Sequence, residues 1–252
     1  MKRVVLKVGS AVLTQDGTLA LQRLQNLVDF IALLKSKYEV ILVSSGAVAS
    51  GYTALKLDKK IVSNKQALAS IGQPMLMKEY ASRFEEQDVI CSQLLLTADD
   101  FDSRKRTIHA KNAIEKLLEY KVLPIINEND VTATDELVFG DNDQLAAHVT
   151  YYFDADMLVI LTDIDGYYDD NPHTNPNAIL QKKVSCIVES TLNSCHTPNN
   201  EFATGGIVTK LKAANFLLQR DKKMFLTSGF DLSYAKEFLI DGIHNKGTIF
   251  EN

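Results

Sequence analysis

The sequence predicts an α/β domain built on a mainly parallel sheet with helices on both faces. Three observations carry that prediction. Five short apolar runs, at residues 3–9, 39–45, 88–96, 122–126 and 156–161, are continuous and rich in β-branched residues, as strands buried on both faces are. The segments between them repeat apolar residues at i, i+3 and i+4, the spacing of one helical face. Strand-like and helix-like segments then alternate along the chain, the mark of βαβ units. At 252 residues and 46% hydrophobic, the chain is long enough to bury the core such a fold needs.

Taken in order, "RVVLKVG" (3–9) opens as a strand and residues 21–34 form a helix. "EVILVSS" (39–45) is the second strand, 66–84 a helix, "DVICSQLLL" (88–96) the third strand and 107–118 a helix. "VLPII" (122–126) is a fourth strand. "VTATDELVF" (131–139) alternates polar with apolar, like a hairpin arm beside the main sheet. A helix over 142–152 leads to the strand "DMLVIL" (156–161). Pro172 and Pro176, among Asn and Asp neighbours, mark 169–178 as a loop, and 192–206 reads as another. A helix over 209–219, the strand 223–228, a helix over 232–240 and the short strand "GTIF" complete the chain. No repeat or linker divides it, so one domain is expected.

Composition excludes several function classes. A net charge of −5 argues against a nucleic-acid partner, which requires a basic face. No apolar run approaches the roughly 20 residues that span a bilayer. The N-terminus "MKRVVLKVGS" has Lys7 too early for a signal peptide. Cys91, Cys186 and Cys195 are odd in number and lack CxxC spacing, so neither a disulfide framework nor a zinc site is suggested. A cytoplasmic protein away from membranes is the expectation.

In an open α/β sheet, ligands gather beyond the carboxyl ends of strands. There the sequence offers Lys7-Val8-Gly9-Ser10, Ser44-Ser45-Gly46, Asn127-Glu128-Asn129-Asp130 and Thr162-Asp163. No G-x-G-x-x-G is present. "GAVASGYT" (46–53) has Walker A spacing, but Tyr52 stands where the phosphate-reaching lysine belongs. "DIDG" (163–166) begins like a calcium loop, yet its twelfth position is Thr174 instead of a bidentate Glu. Two phosphate-shaped elements remain. In "KVGS", Lys7 sits among Val4, Val5, Leu6 and Val8, where burial is costly without a counter-charge; the plain alternative is a lysine snorkelling out at a sheet edge. In "TGGIVTK" (204–210), two glycines open a helix expected to start near Thr209. Lys210 then falls in the first turn, where a cation opposes the helix dipole unless an anion is near.

That anion is close in sequence. The stretch 126–144, "INENDVTATDELVFGDNDQ", holds Glu128, Asp130, Asp135, Glu136, Asp141 and Asp143 and no Lys or Arg. Asp143 is placed to bind one or both lysines. Asp141 or Asn142 can also cap the following helix, but one cap does not account for six acids.

Together these segments carry a resemblance. "VVLKVGS" looks like the opening of the amino acid kinase family. "SSGAVASG", "INENDVTAT", "GDNDQLAA", "LTDIDGYY" with its following "NP", and "TGGIVTK" resemble the branch that phosphorylates glutamate. The match runs in order from about residue 3 to residue 250. It implies a three-layer αβα sandwich, and transfer of the γ-phosphoryl of ATP to the side-chain carboxylate of L-glutamate, the first step of proline biosynthesis. The resemblance places ATP against Lys7 and Gly9, against Thr204, Gly205, Gly206, Ile207, Val208, Thr209 and Lys210, and beside Thr162 and Asp163. It places glutamate against Ser45, Gly46, Asp130 and Asn142, with Asp143 orienting Lys7 and Lys210. Mg²⁺ would ride on ATP without protein ligands. The same likeness implies a homodimer or tetramer and feedback inhibition by proline.

Ala203 and Ile207 stand where many relatives have Gly and Met, and Ala11 where a hydroxyl residue is common. Many bacterial relatives continue into a C-terminal RNA-binding-like (PUA) domain, whereas a single kinase domain over 1–252 is expected here. Relatives acting on acetylglutamate, aspartate, carbamate, uridylate or isopentenyl phosphate share the fold but lack "INENDVTAT…GDNDQ" in this form. A non-catalytic amino-acid sensor is disfavoured because Lys7, Asp143 and Lys210 are all present. A carboxylate acceptor is already anionic at neutral pH, so no general base is needed. Within the glutamate site, Asp130 is expected to hold the α-ammonium, and Ser45 and Asn142 the α-carboxylate end.

Overall fold

The computed structural model describes residues 1–133, 142–170, 172, 174–188, 191–192 and 206–252. In chain order the first half comprises β1 (Lys2–Val8), α1 (Ser10–Leu13), β2 (Thr14–Gln15), β3 (Thr18–Leu19), α2 (Leu21–Leu34), β4 (Tyr38–Val43), α3 (Ala47–Ala54), α4 (Val62–Glu85), β5 (Cys91–Leu96), α5 (Ala98–Asp102), α6 (Arg104–Glu119) and β6 (Leu123–Glu128). The second comprises α7 (Asn142–Tyr152), β7 (Met157–Thr162), β8 (Lys183–Val184), α8 (Gly206–Leu218), β9 (Lys223–Ser228), α9 (Ser233–Lys236), a π-helical turn (Glu237–Asp241) and β10 (Thr248–Phe250).

Among the described residues, eight strands form one sheet in the order β5-β6-β4-β1-β7-β9-β10-β8, with β2 and β3 a separate ribbon. β1 pairs in parallel with β4 on one side and β7 on the other. Among the described residues, the parallel run breaks at β10, which is antiparallel to β9, and β8, parallel to β10, also runs opposite to the other six strands. Successive side chains leave opposite faces of a strand. Val5, Ile41, Ile126, Ile160 and Leu226 therefore face α6, α7 and α8, while Val4, Leu42, Ile125, Val159 and Phe225 face α2 and α4. Both faces are covered, which is why the strands read as unbroken apolar runs. The result is a three-layer αβα sandwich. Among the described residues no helix is long and apolar enough to cross a membrane.

Several expected boundaries are corrected. The third strand starts at Cys91, not 88, because Asp88 adopts φ 55 and the Asp88 and Val89 N–H groups turn back to Glu85 and Phe84. The second long helix starts at Val62 and runs through Pro74. The last predicted helix is a short α-helix followed by the π-helical turn, closed by Gly242 at φ 71. α8 begins at Gly206, three residues before Thr209, so Lys210 lies one turn inside it.

Among the described residues, three helices, the single turn α1 together with α5 and α3, were not foreseen. α5 is held by a capping box between Thr97 and Asp100. α3 is short and made of small residues, and it touches α4 backbone to backbone. A Cβ on Gly51 would come within 1.9 Å of Leu68 O, and one on Gly72 within 1.8 Å of Ala47 O. Residues 134–139 of the expected hairpin arm, Asn171 and His173 of the first loop, and 193–205 of the second lie outside the described residues. Residues 131–133 form a turn, with the Thr132 and Ala133 N–H groups on Asn129 O. Cys91 and Cys186 are free thiols; Cys195 lies outside the described residues.

Candidate phosphoryl-transfer site

The chain lays β4, β5 and β6 on one side of β1 before crossing to β7 on the other, so a crevice opens at the carboxyl end of β1. There a cavity of about 770 Å³ is lined by Lys7, Gly9, Ser45, Gly46, Asn127, Glu128, Asp130, Asn142, Thr162, Asp163 and Lys210, among others. All of these belong to the four strand ends picked out in the sequence, except Asn142 and Lys210, which start or sit near the start of helices.

Asp143 organises the floor. It is 0% exposed, in the first turn of α7, where a carboxylate suits the helix dipole. Its Oδ1 lies 2.5 Å from Lys7 Nζ and its Oδ2 3.1 Å from Lys210 Nζ. Thr209 Oγ1 donates to the same Oδ2 at 2.9 Å, and Lys210 Nζ also donates to Gly206 O at 2.9 Å. Lys7 is 1% and Lys210 5% exposed. The snorkelling alternative for Lys7 fails because β1 is a central strand and its odd-numbered side chains point toward α7. Two buried ammonium groups thus meet on one buried carboxylate at the cavity.

Around it the walls differ. Gly9 N–H donates to Leu161 O at 3.0 Å, and a Cβ there would stand 4.0 Å from Lys7 Nζ. The bare backbone of Gly9 thus passes beside the buried lysine at ordinary van der Waals distance. Thr162 Oγ1 donates to Asp163 Oδ1 at 2.8 Å on the β7 side. On the other side, Gly46 caps α3 with φ 105, a conformation that favours glycine, and this turns Ser45 into the cavity. Burial pushes the Asp130 carboxyl above its ordinary value, and the nearby charge of Lys65 opposes that shift.

The structure therefore brings together Lys7, Gly9, Ser45, Gly46, Asp130, Asn142, Thr162, Asp163 and Lys210, with Asp143 directly behind the lysines. Gly206 and Thr209 contact the cluster from behind. Ile207 is partly buried against the α7–α8 core and Val208 is buried, and neither lines the cavity. Thr204 and Gly205 lie outside the described residues, as do Asp135, Glu136 and Asp141. Sequence reading missed Lys59, Lys65 and Gln66, which the start of α4 brings to the rim. Lys65 stands in the first turn of α4, where a cation opposes the helix dipole, but the sequence places that helix's start at 66 and so hides the signal. Among the described residues no three His, Cys, Asp or Glu side chains converge to hold a metal ion.

A cavity floored by two lysines on a shared aspartate, at the switch point of a parallel sheet, is built for phosphoryl transfer. The chain belongs to the amino acid kinase family, whose model matches residues 2–228. Within that family it is similar to glutamate 5-kinase of Leishmania donovani, 56% identical over 99% of this chain and 95% of the relative. Glutamate 5-kinase of Wolinella succinogenes is 55% identical over 99% of this chain and 98% of its own. Among solved structures, an isopentenyl phosphate kinase in complex with its substrate matches the fold with a TM-score of 0.67 at 15% identity, covering 100% of both chains.

Proposed function

We propose that the chain transfers the γ-phosphoryl group of ATP to the side-chain carboxylate of L-glutamate, the entry step to proline. The observation that carries this reading is the Lys7–Asp143–Lys210 cluster, 0–5% exposed, at the floor of a cavity that Asp130 and Ser45 also line. Full-length likeness to named glutamate 5-kinases supports the choice of acceptor.

The difficulty of this reaction is bringing an anion to a polyanion. Lys7 and Lys210 stabilise the negative charge spread over the transferring group, and Asp143 holds them in place before substrates arrive, so little reorganisation is needed. Thr162 and Asp163 are assigned to the nucleotide side, as is the 204–210 segment. Two lysines at the phosphate end suit phosphate oxygens better than a bare metal ion. Mg²⁺ is accordingly placed on the ATP phosphates, where it neutralises developing charge. Ser45, Gly46, Asp130 and Asn142 are assigned to glutamate, with Asp130 taking its α-ammonium. Family likeness also supports a cytoplasmic homo-oligomer restrained by proline.

A coupled assay of ADP release tests the reading. L-glutamate should turn over, and N-acetylglutamate and L-aspartate should fall behind by a hundredfold or more in kcat/KM, since a site built around a polar group rejects analogues that lack it. Equal turnover of N-acetylglutamate would move the acceptor assignment to another branch of the family.

A further inference from the structure

Three buried amides run from the middle of α4 to the start of α7. Asn142 Nδ2 lies 2.6 Å from Ser44 O, 2.8 Å from Asn127 Oδ1 and 3.1 Å from Ser45 Oγ. Asn127 Oδ1 also accepts from the Glu128 backbone N–H at 2.9 Å, and Asn127 Nδ2 donates to Gln73 Oε1 at 2.8 Å. Gln73 is 8%, Asn127 3% and Asn142 8% exposed.

Amide orientation is ordinarily ambiguous. Two backbone groups settle it here. The Ser44 carbonyl can only accept, so Asn142 must turn its nitrogen toward it. The Glu128 N–H can only donate, so Asn127 must turn its oxygen toward it. Asn127 then has its nitrogen left, and Gln73 Oε1 receives it. Both protons of Asn142 are thus committed to the wall, and the polar atom left for the cavity is Oδ1, an acceptor. With that orientation we infer the α-ammonium, in place of the α-carboxylate expected from the sequence, as the partner of Asn142, because a carbonyl oxygen repels a carboxylate and takes an ammonium. Ser45 keeps the carboxylate role, since its hydroxyl proton remains to donate. Its oxygen takes only a shared, longer contact of 3.1 Å with Asn142 Nδ2, whose two protons serve Ser44 O and Asn127 Oδ1.

From this arrangement we propose that Gln73 is a positioning residue for the substrate's α-ammonium, acting through Asn127 on Asn142. The proposal rests on the glutamate reading above. Gln73 is the polar member of a buried α4 face that otherwise carries Leu68, Ala69, Gly72, Leu76, Tyr80 and Phe84. Its neighbour Gly72 lets α4 press against the start of α3, which carries Gln73 up to the end of β6. Without an acceptor at position 73, Asn127 has one amide proton unsatisfied in the core. It gains by rotating, and rotation releases Asn142.

The test compares L-glutamate with glutarate, which has both carboxylates and no ammonium. KM for glutamate and the competitive Ki for glutarate are measured in the unaltered enzyme, in Gln73→Leu and Gln73→Met, which remove the acceptor, and in Gln73→Glu, which keeps an oxygen facing Asn127. The preference for glutamate over glutarate should fall about tenfold in the Leu and Met variants, the effect of weakening one hydrogen bond to a charged group. It should stay within about twofold in Gln73→Glu, and KM for ATP should not move in any of them. The second apolar variant guards against a fold too damaged to measure. Equal loss for both ligands, or no loss, assigns Gln73 a purely structural role and overturns the proposal alone. Absence of glutamate turnover in the unaltered enzyme overturns the parent reading and this proposal with it.

Discussion

Replacing Asp143 by Asn keeps the shape of the side chain and removes its charge. At an effective dielectric near 20, ion pairs at 2.5 and 3.1 Å correspond to gross attractions of about 7 and about 5 kcal/mol. Most of that is offset by the desolvation of three buried ions, and removing one partner of a buried pair has a net cost of about 3–5 kcal/mol. Here one substitution strips two lysines at once, so the upper end of that range applies. The substituted amide would still accept from Thr209 or one lysine through its oxygen, which keeps the loss from doubling. Urea unfolding of the ligand-free variant should therefore show a stability loss of about 4–5 kcal/mol, and kcat should fall at least a hundredfold as the lysines lose their alignment. ATP brings new negative charge to lysines that have lost this carboxylate, so it should raise the variant's Tm by more than it raises that of the parent. A stability loss below about 1 kcal/mol would mean that the lysines do not depend on Asp143, and the account of the site would fall.

Lys7→Met and Lys210→Met should each lower kcat about a hundredfold, or roughly 3 kcal/mol of transition-state stabilisation, with Asp143 kept paired by the other lysine; near-normal turnover would remove that lysine from the chemistry. Asp130→Asn should raise KM for glutamate steeply and leave KM for ATP nearly unchanged in initial-rate measurements. Burial raises the Asp130 carboxyl, so the folded state holds its proton more tightly than the unfolded chain does. Asp130 therefore costs stability at neutral pH, a cost relieved as pH falls through its raised value, and Asp130→Asn should raise Tm near pH 7. For the same reason glutamate KM should climb on the acid side at a higher pH than an ordinary aspartate would give, and the variant should flatten that limb. Gly72→Ala forces a methyl to within 1.8 Å of Ala47 O and should destabilise by about 2–3 kcal/mol in thermal or urea unfolding.

The central strands were legible because burial on both faces leaves no polar position to blur the pattern. Residues 3–9 and 156–161 show this best: their neighbours on both sides and on both faces are apolar, and nothing else explains such runs. α3 was not legible. Its small residues have no apolar stripe, since what it buries is backbone against α4 through Gly51 and Gly72. The lysines and Asp143 were legible because a charge inside or beside an apolar run is expensive, and expense implies a partner. Gln73 was not, because its partner Asn127 lies 54 positions away and neither residue is costly enough on its own to demand explanation. The direction of the Asn142 amide was likewise beyond sequence, being decided by the Ser44 carbonyl.

The sheet order has a consequence in time. Of the sheet's eight described strands β1 is made first, and it ends inside the sheet, flanked by β4 and β7. Once residue 128 has been made, the half-sheet β5-β6-β4-β1 has all its strands, with β1 as its open edge. β7, β9 and β10 then add outward in the order of their synthesis. Lys7 waits on that edge for Asp143, and Lys210 arrives later still, on α8. The amino-acid wall of the cavity is thus made early and the second phosphate-facing lysine late. An unfinished chain can shape much of the acceptor pocket while lacking the charge that drives transfer, and so the ability to spend ATP comes only once α8 has been made.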